Sequence, residues 1–284
     1  MVIFIDALIK SYNYFKKNWK FIPLVALLDL IFLVFFGSGT SLFRSYSETS
    51  VTPVVQGFSK LGTQLLSGEE SPVKILLSDP AISANLKNLI LIILSFAILL
   101  YIFWILFNGA SWKLASRMMG EKGNYVKFFT RFSAITAIWF GIFLIILAAM
   151  TRFVLFALLR YDPITTPEII QTSGTVINWI FFYFMLISIS LVPYTNVFEN
   201  LKKTFKYGVK DAPTFIVAYA IILVSLFLNF QITYLIFQPL LNSITAGFNL
   251  PTLIIGLIRF ALAAPFLTFA RMYLMEVSKE TVRI

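Results

Sequence analysis

The sequence contains no cysteine and no histidine among its 284 residues. Without cysteine there is no disulfide, zinc–thiolate site, iron–sulfur cluster or cysteine nucleophile. Without histidine the chain lacks the commonest metal ligand and the commonest general base, which excludes serine–histidine and zinc-dependent membrane proteolysis. Aspartyl proteolysis needs two carboxylates within membrane spans, and only Asp29 is available. We therefore expect no enzyme activity, no cofactor and no metal site.

Charge is also scarce. Only 13% of the residues are charged, whereas 59% are hydrophobic and 17% are aromatic, including 31 phenylalanines. Soluble domains carry about 25% charged residues, so this chain cannot cover a water-facing surface in the usual way. A mean hydropathy of +0.86 together with this composition favours helices whose outer faces meet lipid. The composition predicts an all-α fold, a polytopic bundle of membrane helices.

The apolar stretches have the length of membrane spans, since about 20 residues are needed to cross a hydrocarbon core of about 30 Å. The clearest stretch, 89–107, holds no charged residue. The first is interpreted as an uncleaved signal anchor, because a long polar segment precedes it. The predicted spans are 21–36, 88–110, 134–159, 176–195, 213–237 and 252–272. Residues 37–85 are predicted to form an outer loop, with a short amphipathic helix after Pro53.

Lysine and arginine gather on one side of this topology. Sixteen of them fall in the N-terminal stretch, the second-to-third and fourth-to-fifth connections and the C-terminal end, against six on the other side. The positive-inside rule then predicts a multi-pass protein of the cell membrane with both termini in the cytoplasm. The charge of +10 lies entirely on that side. The basic face is defined by Lys10, Lys16, Lys17, Lys122, Lys127, Arg131, Lys202, Lys203, Lys206 and Lys210.

Topogenesis and attraction to anionic lipid head groups explain the basic face most simply. Docking of an acidic protein, a ribosome or RNA is the alternative, although a nucleic-acid partner is not expected. The predicted partners are the bilayer, its anionic head groups and proteins at the cytoplasmic side. The sequence predicts no oligomeric state.

Three cytoplasmic segments share an amphipathic pattern. In the first, 1–20, the apolar residues recur at helical spacing: Ile5, Leu8, Ile9, Tyr12, Phe15 and Trp19. In the middle segment Asn124 is predicted to cap a helix. The first and third segments align as Leu8, Lys10, Ser11, Tyr12, Tyr14, Lys17 and Asn18 with Leu201, Lys203, Thr204, Phe205, Tyr207, Lys210 and Asp211. This pattern predicts three hairpins, each preceded by a basic helix in the membrane interface.

This layout, together with ENLKKTFKYGVKD and MMGEKGNYVKFFTRF, resembles a loose group of six-span prokaryotic membrane proteins. The group includes the membrane domain attached to some glycerophosphodiester phosphodiesterases and several archaeal families of unknown function. The resemblance covers most of the chain and implies the fold. It implies no activity, because these residues hold no counterpart of the phosphodiesterase catalytic domain.

Two charged residues lie near the middle of predicted spans, Asp29 in the first and Arg259 in the sixth. A lone charge there costs about 2.5–3.5 kcal/mol on insertion scales, so pairing or access to water is expected. We expect either an Asp29–Arg259 ion pair, a pathway lined by both, or two separately solvated charges. Pro193 and Pro265 are predicted to kink their spans. Residues predicted to hydrogen-bond between helices are Asn108, Asn178, Asn229 and Gln231.

Two functions follow from these features. The first is a non-catalytic scaffold, accessory subunit or lipid-interacting module that uses the basic face. The second is a small-solute or ion transporter with Asp29 and Arg259 near its pathway.

Overall fold

A computed structural model describes residues 2–65, 80–160, 166–242 and 250–282. The helices in these ranges are α1 (Val2–Lys17), α2 (Ile22–Leu65), α3 (Pro80–Phe103), α4 (Gly109–Met118), α5 (Tyr125–Arg160), α6 (Thr166–Leu191), α7 (Val197–Lys210), α8 (Ala212–Asn242) and α9 (Leu250–Val282). A 3-10 turn, Trp19–Phe21, precedes α2, and a π-helical turn, Trp104–Asn108, joins α3 to α4. The four ranges contain no strand, so the all-α class is confirmed for them.

Six helical stretches of the described chain are long and apolar enough to cross a membrane, and each overlaps one predicted span. They are Trp19–Ser50, Ser83–Met118, Tyr125–Met150, Thr172–Leu191, Ala212–Gln231 and Gly256–Val282. Their outer surfaces leave large apolar side chains uncovered, and Ile145, for example, is 71% exposed. A soluble protein does not tolerate apolar surface on this scale, so the described chain has the features of a multi-pass membrane protein.

The predicted outer loop is wrong over 37–53 and 80–85, which are helical, whereas the helical structure predicted after Pro53 is confirmed, although it continues α2 and is not a separate short helix. Helix α2 continues without a break through Pro53 to Leu65, and α3 already begins at Pro80. The polar residues there are accommodated in the helix, because their hydroxyls donate to carbonyl oxygens three or four residues earlier. These donors are Thr40, Ser47, Thr49 and Thr52. Residues 66–79, which include the rest of the predicted loop, lie outside the described ranges.

Other helix ends also differ from the prediction. The middle amphipathic segment is not a separate helix, because α5 runs from Tyr125 through the whole span. Asn124 caps it as predicted, with its Oδ1 accepting a hydrogen bond of 2.8 Å from the Val126 amide. Pro193 kinks no helix, since α6 ends at Leu191, whereas Pro265 does lie inside α9.

The described chain divides into two compact units. The smaller, Leu30–Leu106, holds the later part of α2 and α3, which pack through aromatic rings. The rings of Phe35 and Phe103 stack with centroids 4.4 Å apart, and those of Phe43 and Phe96 with centroids 4.7 Å apart. Stacked pairs of this kind contribute about 0.5–1.5 kcal/mol each beyond the burial of their area.

The larger unit comprises Met1–Asp29 and Phe107–Ile284, and α9 is its centre. Helix α9 contacts α1, α4, α6, α7 and α8. Every residue from Met272 to Ser278 is buried, so this part of the helix is covered on all sides. A helix enclosed all round is a core element, and the other helices of this unit are arranged around it.

Helices α1 and α7 pack through small or polar residues rather than through their apolar stripes. In α7 the buried residues are Asn200, Thr204 and Gly208, whereas Phe198 is 86% exposed. The Asn200 side chain donates to the Ser188 carbonyl at 2.9 Å and accepts from the Ser188 hydroxyl at 2.6 Å. In α1, Ala7 and Ser11 are fully buried, whereas the large residues Ile5, Ile9 and Tyr12 are exposed.

The close approach of α7 to α6 predicts opposite effects at two helical glycines. A Cβ at Gly208 would lie 2.8 Å from the Phe184 ring, so we expect Gly208→Ala to lower the free energy of unfolding by about 1–3 kcal/mol. At Gly141 in α5 nothing lies within 4 Å, and alanine there should stabilise the helix by about 0.5–1 kcal/mol. Thermal unfolding in detergent measures both. Equal effects would contradict the packing of α7 on α6.

Candidate functional site: a buried ion pair and a basic face

The Asp29 carboxylate lies near the start of α2 and is only 5% exposed. Arg271 of α9 binds it with both guanidinium nitrogens, Nη1 donating to Oδ2 at 2.6 Å and Nη2 to Oδ1 at 2.8 Å. The Ser111 hydroxyl of α4 donates to Oδ1 at 2.8 Å. Because this geometry is bidentate and charge-assisted, it belongs to the strongest class of hydrogen bonds in proteins.

The π-helical turn brings further groups to the same guanidinium. Such a turn inserts an extra residue and shifts the register of the helix that follows it. Asn108 ends this turn, and its Oδ1 accepts from Arg271 Nη2 at 3.4 Å. The Trp112 ring, one helical turn later, lies 6.0 Å from the Arg271 guanidinium carbon. Arg271 therefore has an anion, an amide oxygen and an aromatic face around it, which compensates its removal from water.

The predicted partner of Asp29 is wrong. Arg259 precedes Arg271 by twelve residues of α9, or about 18 Å along the helix. Arg259 lies instead against the Tyr234 ring, with its guanidinium carbon 5.7 Å from the ring centroid. Its Nε and Nη2 atoms are buried and find no hydrogen-bond acceptor in the described chain. The two charges do not meet, but they are not separately solvated either, because Asp29 is buried against Arg271.

Sequence reasoning missed Arg271 because it was counted with the cytoplasmic C-terminal end. A signal was present, since the residues after it, MYLMEVS, stay mainly apolar and carry one charge. This run indicates that the helix remains buried beyond Arg271. Of the predicted interhelical hydrogen bonds, that of Asn108 is confirmed, and Asn229 Nδ2 lies at 3.5 Å from the Leu262 carbonyl oxygen.

Two lysines of the basic face are neutralised by carboxylates. Lys10 binds Glu280 and lies 3.7 Å from Glu276, and the hydrogen bond to Glu280 raises the pKa of Lys10. Lys203 binds Glu199 one turn away at 2.8 Å, which lowers the pKa of Glu199. Both pairs are partly exposed, so each contributes little to stability.

The other basic-face side chains form no ion pair with the described residues. All of them are exposed except Arg131, which is half-buried. They are Lys16, Lys17, Lys122, Lys127, Arg131, Lys202, Lys206 and Lys210. Most of the positive charge on this face is therefore available to an external anion.

The ion pair generates a prediction about stability. Removing one partner of a buried pair leaves an uncompensated charge, so we expect Asp29→Asn and Arg271→Gln each to cost about 3–5 kcal/mol. The double variant should lose clearly less than the sum of the two. Unfolding in mixed detergent measures the coupling, with Arg259→Gln as the control that should change stability little. Additive losses would rule out the pair.

The fold and its charged groups can be compared with known proteins. No protein-family model matches this chain. The curated proteins and the solved structures likewise give no match. The resemblance to six-span prokaryotic proteins therefore stays a prediction.

Proposed function

We propose that the protein is a multi-pass protein of the cell membrane, with both termini in the cytoplasm, that works by binding anionic lipid head groups through its basic face. It acts in this proposal as a lipid-interacting scaffold or accessory subunit and not as a catalyst. The observation that carries the proposal is the set of basic-face side chains that have no carboxylate partner among the described residues. Each lysine or arginine close to an anionic bilayer surface contributes about 1 kcal/mol of attraction.

The exposed surface of α7 supports this placement. At about 100° per residue, Phe198, Phe205 and Val209 fall within about 40° of one another around the helix axis. These three side chains are 86%, 48% and 69% exposed. The exposed Lys202, Lys206 and Lys210 project to one side of that stripe. An apolar stripe beside a row of lysines is the surface of a helix that lies in the membrane interface.

Helix α1 has the same exposed apolar stripe and the same buried stripe, which supports the proposed internal repeat of hairpins. Its exposed Ile5 and Tyr12 align with Phe198 and Phe205 of α7 in the register found in the sequence. The fully buried Ala7 and Ser11 align in the same register with Asn200 and Thr204, which are also fully buried. We infer that α1 and α7 are equivalent interfacial helices that precede their hairpins.

The Asp29 site supports binding over transport. Both carboxylate oxygens accept hydrogen bonds from Arg271, and Oδ1 also accepts from Ser111. A carboxylate held by three donors is not free to bind and release an ion or a solute. The transporter alternative therefore loses its acidic group and retains only Arg259.

The proposed orientation can be tested by labelling single introduced cysteines, because the chain has no cysteine of its own that would react. We expect Lys206→Cys to react with a membrane-impermeant maleimide only after the cells are permeabilised. Thr49→Cys, on the opposite predicted side, should react in intact cells. Both positions are exposed in the structure. The reverse labelling pattern would overturn the proposed orientation.

The lipid-binding proposal is tested with the full chain in nanodiscs made of phosphatidylcholine and phosphatidylglycerol. Mass spectrometry of the lipids that stay bound should show enrichment of phosphatidylglycerol that weakens as salt is added. Lys202→Gln combined with Lys206→Gln should reduce the enrichment severalfold.

The matched control combines Arg44→Gln with Lys87→Gln, which removes the same charge on the other predicted side. Both of these residues are exposed, and Arg44 is paired with Glu48. We expect the control to keep the enrichment of the unmodified protein. Equal loss in both variants, or no enrichment in any, would contradict the proposal.

A further inference from the structure

A cleft with about 390 Å³ of empty volume lies among α4, the first turns of α5 and the turn that follows α6. It is separate from the Asp29 ion pair and belongs entirely to the larger unit. Its walls carry mainly donors and cations. The polar lining residues are Lys113, Ser116, Glu121, Asn124, Lys127 and Arg131.

Lys113 is the unusual residue of this cleft, because it is only 3% exposed and forms no ion pair or hydrogen bond within the described chain. Its ammonium lies 5.3 Å from the Tyr125 ring centroid and 5.4 Å from that of Phe128. A Cβ built on Gly123 would lie 3.5 Å from the Lys113 Nζ, so the ammonium points to the cleft wall. Glu121 attracts this ammonium without forming an ion pair with it, and the same carboxylate binds Lys279 at 3.0 Å, so its compensation of Lys113 is only partial.

The energetics leave Lys113 undercompensated. Burial of an ammonium is unfavourable even after relaxation of the protein. Contacts with aromatic rings return only part of that cost. A bound anion is the natural group to supply the remainder.

Further donors converge on the same space. Ser116 is fully buried, and its hydroxyl has no hydrogen-bond partner in the described chain. Lys127 and Arg131 are spaced one turn apart on α5 and line the cleft with Lys113. The cleft also lies at the N-terminus of α5, a helix of 36 residues whose dipole favours negative charge at that end.

We propose that this cleft binds a phosphate group, either on a lipid head group or as free phosphate. Phosphate offers several acceptor oxygens and a charge of about −1.5 to −2, which suits three cations and a hydroxyl. Arg131 supplies the planar fork that binds phosphate with two hydrogen bonds, and the lysines act as point charges. The inference rests on the proposed function, because it assigns a specific head-group site within the basic face.

The test measures the affinity of the full chain in detergent for a fluorescent short-chain phosphatidic acid. Lys127→Gln combined with Arg131→Gln should weaken binding at least about tenfold, since charge-assisted hydrogen bonds are lost. The matched control, Arg44→Gln with Lys87→Gln, removes the same charge at exposed positions outside both the cleft and the basic face and should change affinity less than about twofold. Both pairs lie at or near the surface, so folding should be preserved.

Inorganic phosphate is then added as a competitor. Displacement of the fluorescent lipid by phosphate, with chloride at equal ionic strength inactive, supports the site and assigns it to free phosphate as well. If phosphate does not displace the fluorescent lipid, but the cleft variant (Lys127→Gln with Arg131→Gln) still loses binding, the site is assigned to the lipid head group. Unchanged affinity in the cleft variant, or equal weakening in cleft and control variants, overturns the inference.

Lys113→Met gives a second, independent readout. If a bound anion compensates the Lys113 charge, this variant should keep or raise the melting temperature measured without phosphate. It should also lack the increase in melting temperature that phosphate causes in the unmodified protein. A lowered melting temperature with the phosphate-dependent increase intact would assign Lys113 to packing and overturn its proposed role. If phosphatidylglycerol enrichment survives while phosphate-specific binding fails, the cleft is rejected and the broader proposed function stands.

Discussion

The packing of the larger unit depends on the groups that compensate the buried charge of Arg271. Its guanidinium receives the Asp29 carboxylate from α2, the Asn108 amide oxygen from the π-helical turn and the Trp112 ring from α4. Asp29, the Asn108–Trp112 segment and Arg271 are far apart in sequence, and the ion pair joins them at one point. The pair fixes where α9 stands along its neighbours, because a shift of one helical turn, about 5.4 Å, would strand a charge in a buried environment.

Around that fixed point the helices pack by close backbone approach and hydroxyl hydrogen bonds. Gly208 lets α7 reach the Phe184 ring, and Asn200 bonds with both the hydroxyl and the carbonyl of Ser188. This mode of packing suits a membrane, where apolar side chains gain little by meeting each other instead of lipid. The large apolar residues can then face outward, and the lysines beside them stay available to anions.

The sequence predicts the class of fold well because span length and charge asymmetry are properties of single segments. The six spans could be found for that reason. The continuation of α2 could not, because Thr40 and Thr52 are typical of turns and are accommodated in a helix only when their hydroxyls bond to its carbonyl oxygens. The choice between Arg259 and Arg271 as partner of Asp29 depends on helix packing, which no single segment encodes. The buried stripe of α7 was hidden for the same reason, since Asn200 and Thr204 appear polar and surface-like.

The ion pair also orders the steps of biogenesis. Asp29 and Arg271 are separated by 242 residues, so the ribosome makes the acid long before the base. Throughout that interval the first span must hold its carboxylate without a guanidinium partner. Ser111, which donates to Asp29 Oδ1 at 2.8 Å in the folded protein, is made within this interval. The ion pair that positions Asp29 can therefore form only after the last predicted span has been synthesised.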